Sequence, residues 1–214
     1  MSFLSKIEKY KSGFISESQV VSETDSYFID SYIKLKNKDF KPEIFSGEFI
    51  PGKIYLFRYN PDQTKERKEG PINRMPIVLV FDVKQTKDLN SILYGVDLIA
   101  TPPDERIKIL NKIYEYGKET IESNIVASKK SGVQTPLNLR GDTIKSLLEG
   151  TGYYASFKGF TISSISNPYV IDYSDWEKLP YLSVALLQGS SPNEIYTEYR
   201  SKLKYKTDLK DKNK

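Results

Sequence analysis

The segment Ile77–Val83 (IVLVFDV) is apolar almost without a break. A strand with one wet face alternates apolar and polar residues, so a near-continuous run of this length reads as a strand buried on both faces. Two flanking segments suit it as partners. Ile54–Tyr59 (IYLFRY) follows the Pro51-Gly52 turn signal and is rich in β-branched and aromatic residues. Ile92–Leu98 (ILYGVDL) carries Gly95, and a glycine inside a strand marks a bulge or a barrel corner. The first connection is long and charged, running from Gln63 to Met75 after the Asn60-Pro61-Asp62 turn. Three short strands with one long first loop predict a small SH3-like β-barrel or a curled antiparallel sheet over 49–101.

Helix signals follow. Thr101 is placed to cap a helix, with Pro102 at its first position and Asp104 three residues on. Ile107, Leu110, Ile113 and Tyr114 form its apolar stripe, and Gly117 is expected to weaken its later turns. Residues 127–142 read as a loop, and Thr143–Leu148 as a turn or two of helix ended by Gly150 and Gly152. Tyr169–Tyr173 reads as a short strand. Ser174 with Glu177, and Ser191 with Glu194, are capping boxes that open further helices. The second of these helices carries Ile195, Tyr199 and Leu203 on one face.

The predicted class is therefore α+β. Residues 1–48 form an N-terminal arm, in which Tyr27–Leu35 reads equally as strand or helix. Residues 49–201 form one domain with C-terminal helices. Residues 202–214 form a basic, flexible tail, whose six lysines and two aspartates carry the chain's whole formal excess of +4.

Composition limits the chemistry. Cysteine and histidine are both absent. That excludes disulfides, thiolate catalysis, Cys or His metal sites and every Ser-His-Asp or Cys-His device. It also favours a reducing compartment. Lys6, Glu8, Lys9 and Lys11 break up any signal-peptide core, and no apolar run is long enough to span a membrane. No cofactor and no metal is expected.

Pro51-Gly52-Lys53-Ile54-Tyr55-Leu56-Phe57-Arg58-Tyr59-Asn60-Pro61 is one half of a wider pattern. The other half is Met75-Pro76-Ile77-Val78, Tyr94-Gly95-Val96-Asp97-Leu98, Pro102-Pro103, Arg106 and Tyr173-Ser174-Asp175-Trp176-Glu177. Together they resemble a small, largely uncharacterised protein family of large tailed bacteriophages, the T4-like and related groups. The resemblance covers about residues 49–180. It implies a phage origin and a role in the particle or in handling its DNA. It carries over no catalytic residue.

The expectation is a non-enzymatic virion protein of the tail, baseplate or neck. It would work through contacts with other phage structural proteins in a symmetric oligomeric assembly, with the host cytoplasm as its place of assembly. The excess of tyrosine, 16 residues, supports a protein-binding role, because tyrosine tolerates a half-wet setting. Tyr153 and Tyr154 are candidate anchors; Trp176, in a first helical turn, reads by default as packing against the core, with an interface anchor as the sharper alternative. The alternative is a DNA-associated factor. It would use Lys65, Arg67, Lys68 and Arg74 in the first loop, Arg58 and Tyr59 at its entrance, and the basic tail. Arg74-Met75-Pro76 also resembles the strand entry of the MazF/PemK toxin ribonucleases, although Met75 separates the arginine from the proline. Asp82, Asp97 and Asp104 read as surface or capping carboxylates, and Gly150-Thr151-Gly152 as a turn.

Overall fold

The computed structural model describes residues 48–61, 75–87, 90–128, 137, 139–182, 196–197, 199–202 and 204. The N-terminal arm up to residue 47, the loop residues 62–74, the Ser191–Glu194 box and the last ten residues of the tail lie outside the described residues. So do Lys65, Arg67, Lys68 and Arg74.

Five strands form one antiparallel sheet: β1 (Ile54–Tyr59), β2 (Ile77–Gln85), β3 (Ser91–Asp97), β4 (Phe157–Thr161) and β5 (Ile165–Val170), in the order β4-β3-β2-β1-β5. The first three are the strands expected from composition. The β-rich core is not completed within 49–101, because β4 and β5 come from far along the chain. The helices α1 (Pro103–Ser128) and α2 (Gly141–Leu147) sit between β3 and β4 and so interrupt the sheet sequence rather than follow it.

The sheet has to curl. Its two edge strands, β4 and β5, are joined only by the 3-10 turn Ile162–Ser164. Four flat strand spacings would part them by about 19 Å. The four residues from Thr161 to Ile165 rise only about 8 Å in a 3-10 turn. Two bulges supply the bend. One places an extra residue in β2 between Val80 and Asp82, opposite the Gly95–Tyr94 step. The other lies in β5 opposite Leu56–Arg58, where Asn167 takes a left-handed φ of 51°. Among the described residues no ladder joins β4 to β5, so the sheet is curled and unclosed.

Both faces are buried, as the unbroken β2 run requires. Tyr55, Phe57, Val78, Val80, Leu93 and Phe160 meet on one face, closed by Phe49. Ile54, Leu56, Ile77, Leu79, Phe81 and Val96 line the other, under α1, α2 and the 3-10 segment Tyr173–Tyr181. Each bulge reverses side-chain parity. That is why Val80 and Val83, and likewise Ile165 and Val170, face the same cluster despite odd spacing.

The helix punctuation is shifted. The Pro102 carbonyl accepts from the Arg106 amide, so Pro103, not Pro102, opens α1. Thr101 is buried and points elsewhere. The stripe runs through Arg106, Ile109, Leu110, Ile113 and Tyr114, while Ile107 is only half-buried. Gly117 does not end the helix. The Leu137 side chain rests on it, and a Cβ there would meet Leu137 Cδ2 at 2.3 Å. At residue 173 the cap is Asp172, which accepts from the Ser174 amide and hydroxyl, so Ser174 is not the capping residue.

Candidate interaction surface

Two groupings of polar and aromatic side chains stand out. The first is a buried polar knot at the head of α1. Arg106 is fully buried. Its Nη1 donates to the carbonyls of Leu179 (3.2 Å), Pro180 (3.2 Å) and Leu182 (2.9 Å), and its Nη2 donates to the Thr101 carbonyl (2.9 Å). Burial lowers its pKa to about 10, against the Tyr196 hydroxyl and Asp97, which raise it. The group stays charged at neutral pH.

Asp97 is fully buried too, which corrects its reading as a surface or capping carboxylate. Its Oδ1 accepts from the Ile99 amide (3.2 Å), and its Oδ2 lies 3.8 Å from Lys158 Nζ. The Thr101 hydroxyl donates to the Asp97 carbonyl (2.8 Å) and lies 2.7 Å from the Ser156 hydroxyl. These side chains tie β3, α1, β4 and the Tyr173–Tyr181 segment into one body. Charges placed this deeply need such partners, because an unpaired buried charge is costly. Asp82 and Asp104 do lie toward the surface.

The second grouping is an aromatic row beside β4. Tyr94 and Phe157 stack at 6.2 Å and 12°. They are diagonal neighbours on one sheet face, since Tyr94 pairs with Gly159 and Val96 with Phe157. Phe157 meets Tyr153 edge-on at 6.3 Å, and Tyr153 meets Tyr154 at 6.0 Å. Buried Phe81 supports the row from below, 5.2 Å from Phe157 and 5.5 Å from Tyr153. All four rings of the row are half-buried. Burial and the nearby Glu149 raise the Tyr153 pKa, so its hydroxyl stays neutral.

At the edge of this region Glu105 accepts from the Gly152 amide (3.1 Å) and from Lys108 (2.6 Å). Burial raises its pKa, but the Lys108 and Gly152 bonds outweigh burial and leave it lowered. Buried Tyr199, on the helical residues near 200, has its pKa raised by burial and by Glu105 and Tyr154.

The structure therefore brings Tyr153 and Tyr154 together and separates them from the other expected anchors. Trp176 is 2% exposed and packs on Tyr173 at 4.9 Å. It is a core residue and presents no surface to a partner. The reason is its 3-10 segment, which lies across α1 with that ring inward. Tyr59 is half-buried in the inner cluster; its ring meets Phe160 at 5.2 Å and its hydroxyl accepts from the Thr161 amide at 3.4 Å. Arg58 is exposed on β1.

Sequence reasoning missed Tyr94 and Phe157 as half-buried rings of one row, and Arg106 as a buried charge. The Arg106 signal was present: it occupies the first position of the stripe that continues through Ile109, Leu110 and Ile113. Among the described residues no three acidic side chains converge as a metal-ligand set. No described helix is long and apolar enough to cross a membrane. Compared with known proteins, the chain matches no family model, no curated protein and no solved structure.

Proposed function

We propose that this chain is a non-enzymatic structural or assembly protein of a tailed-phage particle, in the tail, baseplate or neck, acting through protein–protein contacts. The observation that carries the contact role is the half-buried row Tyr94–Phe157–Tyr153–Tyr154. Large, rigid rings with one wet edge gain contact area at little entropic cost when a partner covers them. The charged groups of the knot, Arg106 and Asp97, are engaged in holding the chain together, which supports a scaffold more than a reaction centre. The phage setting rests on the resemblance over residues 49–180.

The same reading takes the curled sheet as an SH3-like small barrel with a helical insertion. Its strand order, its long first loop and the 3-10 turn between the last two strands support that comparison.

The test is quantitative mass spectrometry of purified particles of the source phage, with copies scaled to the major capsid protein. A fixed copy number, such as about six or twelve for a ring-like component, is the expected result. Absence from the particle overturns the reading. The DNA-associated alternative draws on exposed Arg58 at the loop entrance. It would take the lead if duplex binding weakened with salt by a log–log slope of about −0.9 per phosphate neutralised.

A further inference from the structure

The two edges of the sheet differ in what they offer another chain. β5 is blocked: Pro168 has no amide hydrogen, and Asn167 breaks the strand with its left-handed bulge. β4 is regular. The Asp97 amide donates to the Ser156 carbonyl at 3.0 Å, which sets the phase of the β3–β4 ladder. Lys158 and Phe160 then bond to β3, while Phe157, Gly159 and Thr161 turn their amides and carbonyls away from it. The Thr161 amide confirms that phase by donating across the gap to the Tyr59 hydroxyl. Phe157 and Gly159 keep outward donors and acceptors at an edge where Gly159 is exposed.

We propose that β4 pairs with β4 of a second copy of this chain, antiparallel, across a two-fold axis at Gly159. The pattern is self-complementary. Gly159 exchanges both bonds with Gly159 of the second copy, and the Phe157 amide faces the Thr161 carbonyl of the second copy, the Thr161 amide itself being held by the Tyr59 hydroxyl. Lys158, the only charge on β4, lies opposite Phe160 of the second copy, so no like charges face each other. It is also held toward Asp97.

Gly159 lets the surfaces meet. The Tyr94 ring lies over it, with Cε1 3.3 Å from where a Cβ would stand. Pairing therefore brings the aromatic rows of the two copies side by side, with only the two Gly159 backbones between them at the axis. An isologous contact of this kind closes on itself and stops at two. The inference deepens the assembly reading and rests on it for its purpose alone. A dimer absent from particles, or a particle component that stays monomeric, separates the two failures.

The experiment uses the full chain. Light scattering across a concentration series is expected to give twice the 24.6 kDa chain mass at the upper end. Hydrogen exchange is expected to slow at the Phe157 and Gly159 amides in step with the dimer fraction. Because the chain has no cysteine, Gly159→Cys provides a specific cross-link. Directly opposed residues of a bonded pair have Cα atoms about 5.5 Å apart, within disulfide reach. Mild oxidation should join Gly159→Cys into a dimer and leave Val126→Cys, an exposed control on α1, monomeric. A wild-type chain that stays monomeric with both amides exchanging freely overturns the proposal. So does a dimer that leaves those amides unprotected, equal cross-linking of the control, or protection that needs a different protein.

Discussion

The head and the middle of α1 are held in opposite ways. At the head, Arg106 reaches four carbonyl groups, one at Thr101 just before the helix and three in the distant segment of Leu179, Pro180 and Leu182. In the middle, Gly117 meets the Leu137 side chain by shape alone, and Leu137 in turn is fixed by its amide, which donates to the Tyr173 hydroxyl at 3.4 Å. Directed polar bonds set where the helix begins and which segment lies across it. Shape contact sets how closely the helix can lie. The first kind fails abruptly when one partner is lost, since the others remain buried and unpaired. The second yields gradually, because a side-chain tip can shift.

The largest effect expected from this contrast is at the head. Arg106→Met removes the guanidinium bonds to the Leu179, Pro180, Leu182 and Thr101 carbonyls, leaving Leu179 only the long bond from the Leu182 amide (3.4 Å), and leaves Asp97 with less compensation. A loss of about 3–5 kcal/mol in unfolding free energy is expected from urea titration. Arg106→Lys should recover only part of it, since an ammonium is a point donor and lacks the planar fork. A neutral Arg106→Met would show that water satisfies those carbonyls and that the knot does not direct the fold.

Next comes Tyr173. Burial pushes its pKa up to about 12; the Leu137 amide lowers it, while Tyr55 and Asp172 add to the rise. The folded state thus favours the neutral phenol. That contribution is complete below the ordinary value near 10 and is lost as pH rises from 10 through 12. Two pKa units set an upper bound of about 3 kcal/mol. Denaturant midpoints across this window should fall for the native chain and fall less for Tyr173→Phe. Equal alkaline slopes in both would place the phenol in water.

The smallest effect is at Gly117. Alanine would gain about 1 kcal/mol of helix propensity and lose about 1–3 kcal/mol to overpacking against Leu137. A net loss of about 1 kcal/mol in thermal or urea unfolding is expected. A net gain would mean that Leu137 can move aside, and would remove the steric half of the comparison.

The same division marks what could be read in advance. β1, β2 and β3 were legible because β-branched and aromatic runs between turn signals have few other uses. β4 (FKGFT) and most of β5 (ISNPYV) were not, since the first is short and mixed and the proline of the second argues against a central strand. At an edge those residues are tolerated, and whether a strand is an edge is not a local property. The α1 stripe was legible in period but set one position off at its start. Thr101 has capping chemistry, yet its hydroxyl goes to Asp97 and lies beside Ser156, 55 residues away. Trp176 in a first helical turn fits either the core or an interface, and its burial depends on how the Tyr173–Tyr181 segment crosses α1.

The sequence by itself determined the three strands between Ile54 and Asp97, the helix that follows them, and the exclusion of thiol and imidazole chemistry. These depend on residue type and short spacing. Only the tertiary structure decided that β4 and β5 complete the sheet, that Arg106 and Asp97 are interior, and that four rings from β3, β4 and the intervening turn form one surface. Those outcomes depend on contacts between residues tens of positions apart, whose cost of closure and gain on burial no local pattern records.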